Sequence, residues 1–248
     1  DRFVPKETEA WAVLTSPSCG KEDQTNLLAA LAGSVFERAL VVPSLTLAAL
    51  ILSRSEYPSK SKGAILLDLG GSTLKAGLLE GKWPEPNEIL HLGEGLARFD
   101  RELAENLRNL FSGARVSTIS AKALKDRYLR ITKEPSLCLA QIVKEGRRRI
   151  VDVGKALFEL SGPMVELTCQ AVGTVLERHG TAPFGRTVFL VGGGARMAGL
   201  AGAVRQRLQA LGYMIDSVIV PQHPETVTVR GCFVVAQALQ KKHWKVAV

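Results

Sequence analysis

Ala64-Ile65-Leu66-Leu67-Asp68-Leu69-Gly70-Gly71-Ser72-Thr73-Leu74-Lys75-Ala76-Gly77-Leu78-Leu79 consists of two apolar runs joined by a polar bend. Four apolar residues lead into Asp68, a Gly-Gly-Ser-Thr tetrad follows, and a second apolar run leads away, which predicts strand, tight turn and strand. Glycine at the bend permits positive φ and leaves backbone amides uncovered, while Ser72 and Thr73 add hydroxyl donors. Asp68 places a carboxylate at the end of the first strand, where it can hold a hydrated cation. The tip suits a phosphate chain with Mg²⁺, although the same residues also make an ordinary hairpin turn.

A second glycine cluster lies about 120 residues further on. Thr187-Val188-Phe189-Leu190-Val191 is an apolar strand that ends in Gly192-Gly193-Gly194-Ala195-Arg196-Met197, and a helical pattern follows from about Leu200 to Leu211. At such a junction backbone can lie flat against a ligand and helix amides can face an anion. The Gly-x-Gly-x-x-Gly spacing of dinucleotide sites, with an acid about twenty residues on, is absent. Two glycine bends, each ending a buried strand, predict one nucleotide gripped from two sides.

The 248 residues are 46% hydrophobic, enough for one large or two small globular domains. No uninterrupted apolar run reaches the roughly eighteen residues of a membrane span, since the densest, Ala39 to Leu52, is broken at Pro43-Ser44. The polar start, Asp1 to Glu7, is unlike a signal peptide, and the expected location is cytoplasmic. The net charge is +8 and the obvious basic clusters are Arg147-Arg148-Arg149 and Lys241-Lys242-His243, a balance compatible with DNA as a partner. Neither run is interleaved with aromatics, so each reads first as a solvated face. Cys19, Cys138, Cys169 and Cys232 form no Cys-x-x-Cys pair and read as reduced thiols. His91, His179, His223 and His243 are equally scattered and suggest no metal site.

In chain order, Trp11 to Thr15 predicts a strand, Lys21 to Phe36 a helix and Ala39 to Val42 a strand, together one β-α-β unit. Ser44 is placed to cap an apolar helix, Leu45 to Leu52, and a polar break runs from Ser53 to Lys62. After the Asp68 hairpin come a proline-rich turn at Gly81 to Asn87, a strand at Ile89 to Leu92 and an amphipathic helix from Phe99 to Phe111. A capped helix, Ser117 to Tyr128, carries Lys122, Lys125, Asp126 and Arg127 on its polar side, and Leu129 to Glu145 reads as irregular. A long helical pattern from Ile150 to His179 is interrupted at Ser161-Gly162-Pro163. Met214 to Val220 predicts a strand, Pro221 to Glu225 a turn, and Val229 to Leu239 a helix whose Gly231 and Ala236 allow close approach to a neighbour.

This order of segments resembles the actin-like ATPases, the group of actin, MreB, ParM, FtsA and the chaperone ATPases. The resemblance implies an α/β, ribonuclease H-like fold with mixed sheets, helices on both faces, and two lobes of which the N-terminal is incomplete. Residues 1–55 with a C-terminal helix at 228–248 would be the remainder of the first lobe, residues 60–227 the second, with a smaller inserted subdomain at about 113–160. By that resemblance Asp68, Gly70, Gly71, Ser72 and Thr73 match the second phosphate motif, with Asp68 on Mg²⁺. Gly192, Gly193, Gly194 and Arg196 match the adenosine motif, and the helix bearing Lys125 and Asp126 flanks the adenosine. ATP or ADP with Mg²⁺ is the implied cofactor, and self-association or a protein partner in a filament or scaffold the implied role.

The departures from the pattern are specific. Nothing before Trp11 supplies the first phosphate loop; Val42 stands where relatives place a catalytic Glu, Leu50 where actin places a water-orienting Gln, and Lys75 where many place a second acid. Orienting the attacking water is worth orders of magnitude in phosphoryl transfer, so an ATPase with degenerate catalytic positions is expected, its hydrolysis weak or lost. Lys75, beside the loop, can neutralise phosphate charge as a point cation. The chain reads either as a fragment whose missing segment carries the first loop or as a degenerate, partner-binding relative. The hairpin also resembles the first phosphate loop of sugar and acetate kinases, but the short spacing to the triple glycine leaves little room for a sugar-binding domain. A basic interaction module without nucleotide is the remaining alternative.

Overall fold

The computed structural model of the chain describes residues 10–16, 21–32, 34, 36–60, 63–80, 84, 86–179, 186–240 and 245–246. The chain opens with β1 (Ala10–Ser16), α1 (Lys21–Leu31), β2 (Phe36–Pro43) and α2 (Ser44–Ile51), and β1 runs parallel to β2 as the β-α-β pattern requires. α1 is shorter than its apolar periodicity suggests, because the chain is already extended at Phe36. Pro43, at φ −57° and ψ 136°, ends the strand and starts α2 abruptly. Ser44 does not cap this helix; its hydroxyl accepts a hydrogen bond from Lys75 Nζ at 2.6 Å.

The apolar runs around Asp68 form the antiparallel pair β3 (Ala64–Leu69) and β4 (Thr73–Leu79), with Asp68 directly opposite Lys75. Next come β5 (Leu90–Glu94), α3 (Ala97–Leu110), the two-residue β6 (Ala114–Arg115) and α4 (Thr118–Tyr128). Ser117 caps α4, accepting from Ser120 N at 3.1 Å. Then follow β7 (Leu139–Lys144), β8 (Arg147–Asp152), α5 (Gly154–His179), β9 (Arg186–Val191), α6 (Leu200–Ala210), β10 (Ile215–Ile219), α7 (Val227–Ala238) and β11 (Lys245–Val246). The central sheet has the order β10-β9-β3-β4-β5, with β9 parallel to both β3 and β10.

All six residues of β3 are buried, because both faces of this sheet are covered. Ile65, Leu67 and Leu69 face α3, α5 and α6, whereas Ala64 and Leu66 pack with Leu45, Ala48 and Val227 of α2 and α7. α7 approaches α2 closely at Gly231, where a Cβ would lie 2.8 Å from Leu47 Cβ and overlap the Leu47 carbonyl. β1, β2 and β11 form a small sheet, and β6, β7 and β8 a third, antiparallel one.

Three expectations are corrected. Leu139–Lys144, read as irregular, is a strand whose Ala140 and Ile142 point inward, and a two-residue turn with positive φ at Glu145 (52°) and Gly146 (73°) returns it as β8. Ile150 therefore lies in a strand, with Arg147-Arg148-Arg149 exposed along its edge. α5 runs unbroken through Pro163: the ring removes one backbone bond, but Leu157, Leu160, Met164, Cys169 and Val172 bury the inner face on both sides of it. That burial outweighs the roughly 3 kcal/mol a proline costs inside a helix. The C-terminal segment is α7 followed by a short strand rather than one helix over 228–248.

Most of the Gly81 to Asn87 turn lies outside the described residues, as do Cys19 and the Lys241-Lys242-His243 run. Cys138, Cys169 and Cys232 are free thiols. No helix among the described residues is long and apolar enough to cross a membrane.

Candidate functional site

Both glycine bends lie at the carboxyl ends of adjacent parallel strands, where ligands of open α/β sheets bind. Asp68 on β3 pairs with Val191 on β9, so the chain enters Gly70-Gly71 and Gly192-Gly193 side by side. Gly192 has φ 85°, and a Cβ there would overlap Asp68 Oδ1 and lie 2.9 Å from Leu69 O; only glycine fits. Its amide donates to Pro224 O at 3.0 Å, which ties the second bend to the turn before α7.

The start of α3 braces the hairpin tip. Gly95, Leu96 and Ala97 donate their amides to the carbonyls of Ser72, Gly70 and Gly71 at 2.9, 3.0 and 2.8 Å. A Cβ at Gly95 would come within 2.6 Å of Thr73 N, so the two backbones touch. These bonds occupy the tip carbonyls and the Gly95, Leu96 and Ala97 amides, so those amides are not available to an anion. The sequence pattern starts this helix at Phe99, two residues later than the structure does, and gives the residues before it no role.

A cavity of about 660 Å³ opens between these elements, walled by Gly71, Lys125, Asp126, Gly193, Gly194 and Arg196 from the expected set. Leu69, Leu96, Ala97, Arg130 and Glu225 complete much of the wall. The volume lies within the range of small-molecule sites. Gly70, Ser72, Thr73 and Gly192 belong to the same bends but do not line it.

Lys125 is not on the polar side of α4. It is 7% exposed, with Nζ 2.6 Å from Asp100 Oδ1 of α3 and 3.5 Å from the Leu96 carbonyl. Lys122 and Asp126 instead pair with each other on the exposed face, and that contact holds the Lys122 ammonium above its ordinary pKa. Asp100 was missed, yet it was legible: it falls on the same stripe of α3 as the buried Leu103, Ala104 and Leu107. A carboxylate on an apolar stripe needs a partner.

Asp68 and Lys75 sit on the opposite face of the sheet from Leu67 and Leu69, against the start of α2. Lys75 Nζ lies 3.4 Å from Asp68 Oδ2 and 2.6 Å from Ser44 Oγ, and the three residues are 6 to 9% exposed. The carboxylate expected to serve Mg²⁺ is thus covered on one oxygen by an ammonium and on the other by Gly192. Mg²⁺ demands a nearly octahedral oxygen shell with several waters, and these donors do not supply one. Among the described residues, no group of three His, Cys, Asp or Glu stands placed to hold a metal.

No protein-family model matches the chain, and no curated protein matches its sequence. Solved structures do. The MamK double helical filament superposes with a TM-score of 0.81 at 20% identity, over 96% of this chain and 72% of that one. A cryo-EM structure of the MamK filament gives 0.75 at 20% identity, over 96% and 71%. A non-polymerising MamK mutant bound to AMPPNP gives 0.69 at 20% identity, over 95% and 71%. With helices on both faces of a mixed five-stranded sheet and superposition over 96% of its length, the chain has the actin-like fold.

Proposed function

We propose that the chain binds a nucleotide of the ATP class between its two glycine bends and assembles with itself or a partner in a cytoskeletal or scaffold role. The observation that carries this reading is the convergence of Gly71 with Gly193 and Gly194 on one cavity. The bends bring backbone close to a phosphate chain, while Lys125, Asp126 and Arg196 flank the adenosine side. Arg196 is two-thirds exposed and 3.9 Å from Glu225, free enough to move onto a ligand. Self-assembly is supported by likeness to subunits that form filaments. In this reading residues 1–55 with residues 228–248 form one lobe and residues 60–227 the other, with about 113–160 inserted.

Hydrolysis is weak or lost. Leu50 is buried and apolar on α2, and Val42 at the end of β2 offers neither carboxylate nor amide to a water.

Gly193 tests the site cleanly, because a side chain there meets nothing within 4 Å and projects into open space. Titration with a fluorescent ATP analogue is expected to saturate with the natural chain and to weaken at least about tenfold in Gly193→Val, with the melting temperature of the free protein unchanged. Equal affinity in both, or no binding to either, overturns the proposal. Sedimentation with and without nucleotide then reads assembly.

A further inference from the structure

The hairpin that ends in the Gly70-Gly71 bend carries a buried cation of its own. Lys75 is cross-strand partner to Asp68, its ammonium is 3.4 Å from Asp68 Oδ2, and Ser44 Oγ accepts a second hydrogen bond at 2.6 Å. A hydrated Mg²⁺ held by Asp68 would have to stand on the same side of the carboxylate, where a second cation already stands. The other oxygen faces Gly192, packed too closely for even a methyl group. The cavity wall adds five basic side chains against three acidic ones, a surplus of positive charge supplied by the protein itself.

Resting on the nucleotide reading above, we infer that this site takes its nucleotide free of divalent metal, with Lys75 cancelling the Asp68 charge and the basic wall neutralising the phosphates. A lysine is a compact point charge, so Lys75 cancels the carboxylate without needing a coordination shell. Asp68 thereby becomes a positioning residue for Lys75 instead of a metal ligand.

The test is titration of the natural chain with a fluorescent ATP analogue in Mg²⁺ and in EDTA. Affinities within about threefold of each other are expected. A loss of about tenfold or more in EDTA overturns the inference while leaving nucleotide binding intact. Absence of saturable binding in both buffers removes the nucleotide reading and this inference with it. Lys75→Met, which keeps the stem and exposes Asp68, is expected to bind at least about tenfold more tightly in Mg²⁺ than in EDTA. Asp68→Asn with Lys75→Met removes both charges and is expected to be indifferent to the metal again; Mg²⁺ dependence in that double variant places the metal elsewhere and overturns the inference.

Discussion

Gly192 is constrained both by its backbone conformation and by its neighbours. At φ 85° and with Asp68 Oδ1 where a Cβ would stand, Gly192→Ala is expected to lower stability by about 2 kcal/mol or more, read as a shifted midpoint in urea. Lys125 is a second such residue, since its side chain and that of Asp100 are only 8% and 5% exposed. Lys125→Met strands a buried carboxylate, and a loss of about 3 kcal/mol is expected, most of it recovered when Asp100→Leu is added. A double-mutant cycle by denaturation checks both figures. The residues at which reading from sequence fell short, Ser44, Lys125 and Asp100, all have partners on other elements. A serine after a proline looks like a cap and a lysine among charges looks solvated until the neighbouring helix or strand is in place.

At the scale of elements, helix starts and crossings set the architecture. Asp152 Oδ1 accepts from Cys138 N and Gly154 N, both at 2.9 Å, clamping the end of β8 to the start of α5. The hydrogen bond from Cys138 N, then that from Gly154 N, hold its carboxyl below the ordinary range. A group with a lowered folded-state pKa stabilises above its unfolded value and loses that contribution as pH falls through the folded one. Asp152→Asn should therefore melt earlier than the natural chain near neutrality, with the gap closing at acid pH. Where α7 crosses α2, Gly231→Val is expected to force the helices apart at a cost of about 2 kcal/mol or more, measurable by thermal denaturation. Here the small residue was readable in the sequence, because glycine inside a helical pattern is tolerated only for a reason such as close packing. The β7–β8 hairpin was not read, although Glu145-Gly146 between alternating strands carries its turn chemistry; the arginine run masked the alternation.

For the whole molecule, the proposed ligand bridges bends carried by strands far apart in sequence, so binding should stabilise the fold as a unit. Nucleotide at a hundredfold excess over its Kd is expected to add about 2.7 kcal/mol to unfolding, seen as a raised melting temperature that Gly193→Val lacks. A chain whose melting point is indifferent to ATP and ADP contradicts this.

The amino-acid sequence by itself determined β1, β2 and the strands of the central sheet, the glycine bends and most helices, because apolar periodicity and the backbone freedom of glycine act over a few neighbouring residues. It also carried the actin-like order of segments, which the solved structures bear out. Only the tertiary structure decided that the bends share one cavity, that Asp68 is paired with Lys75 across the hairpin and Lys75 with Ser44 on α2, and that Lys125 is buried on Asp100. Burial and charge pairing depend on what lies opposite, and 31 residues separate Ser44 from Lys75. No local pattern encodes which distant group will arrive.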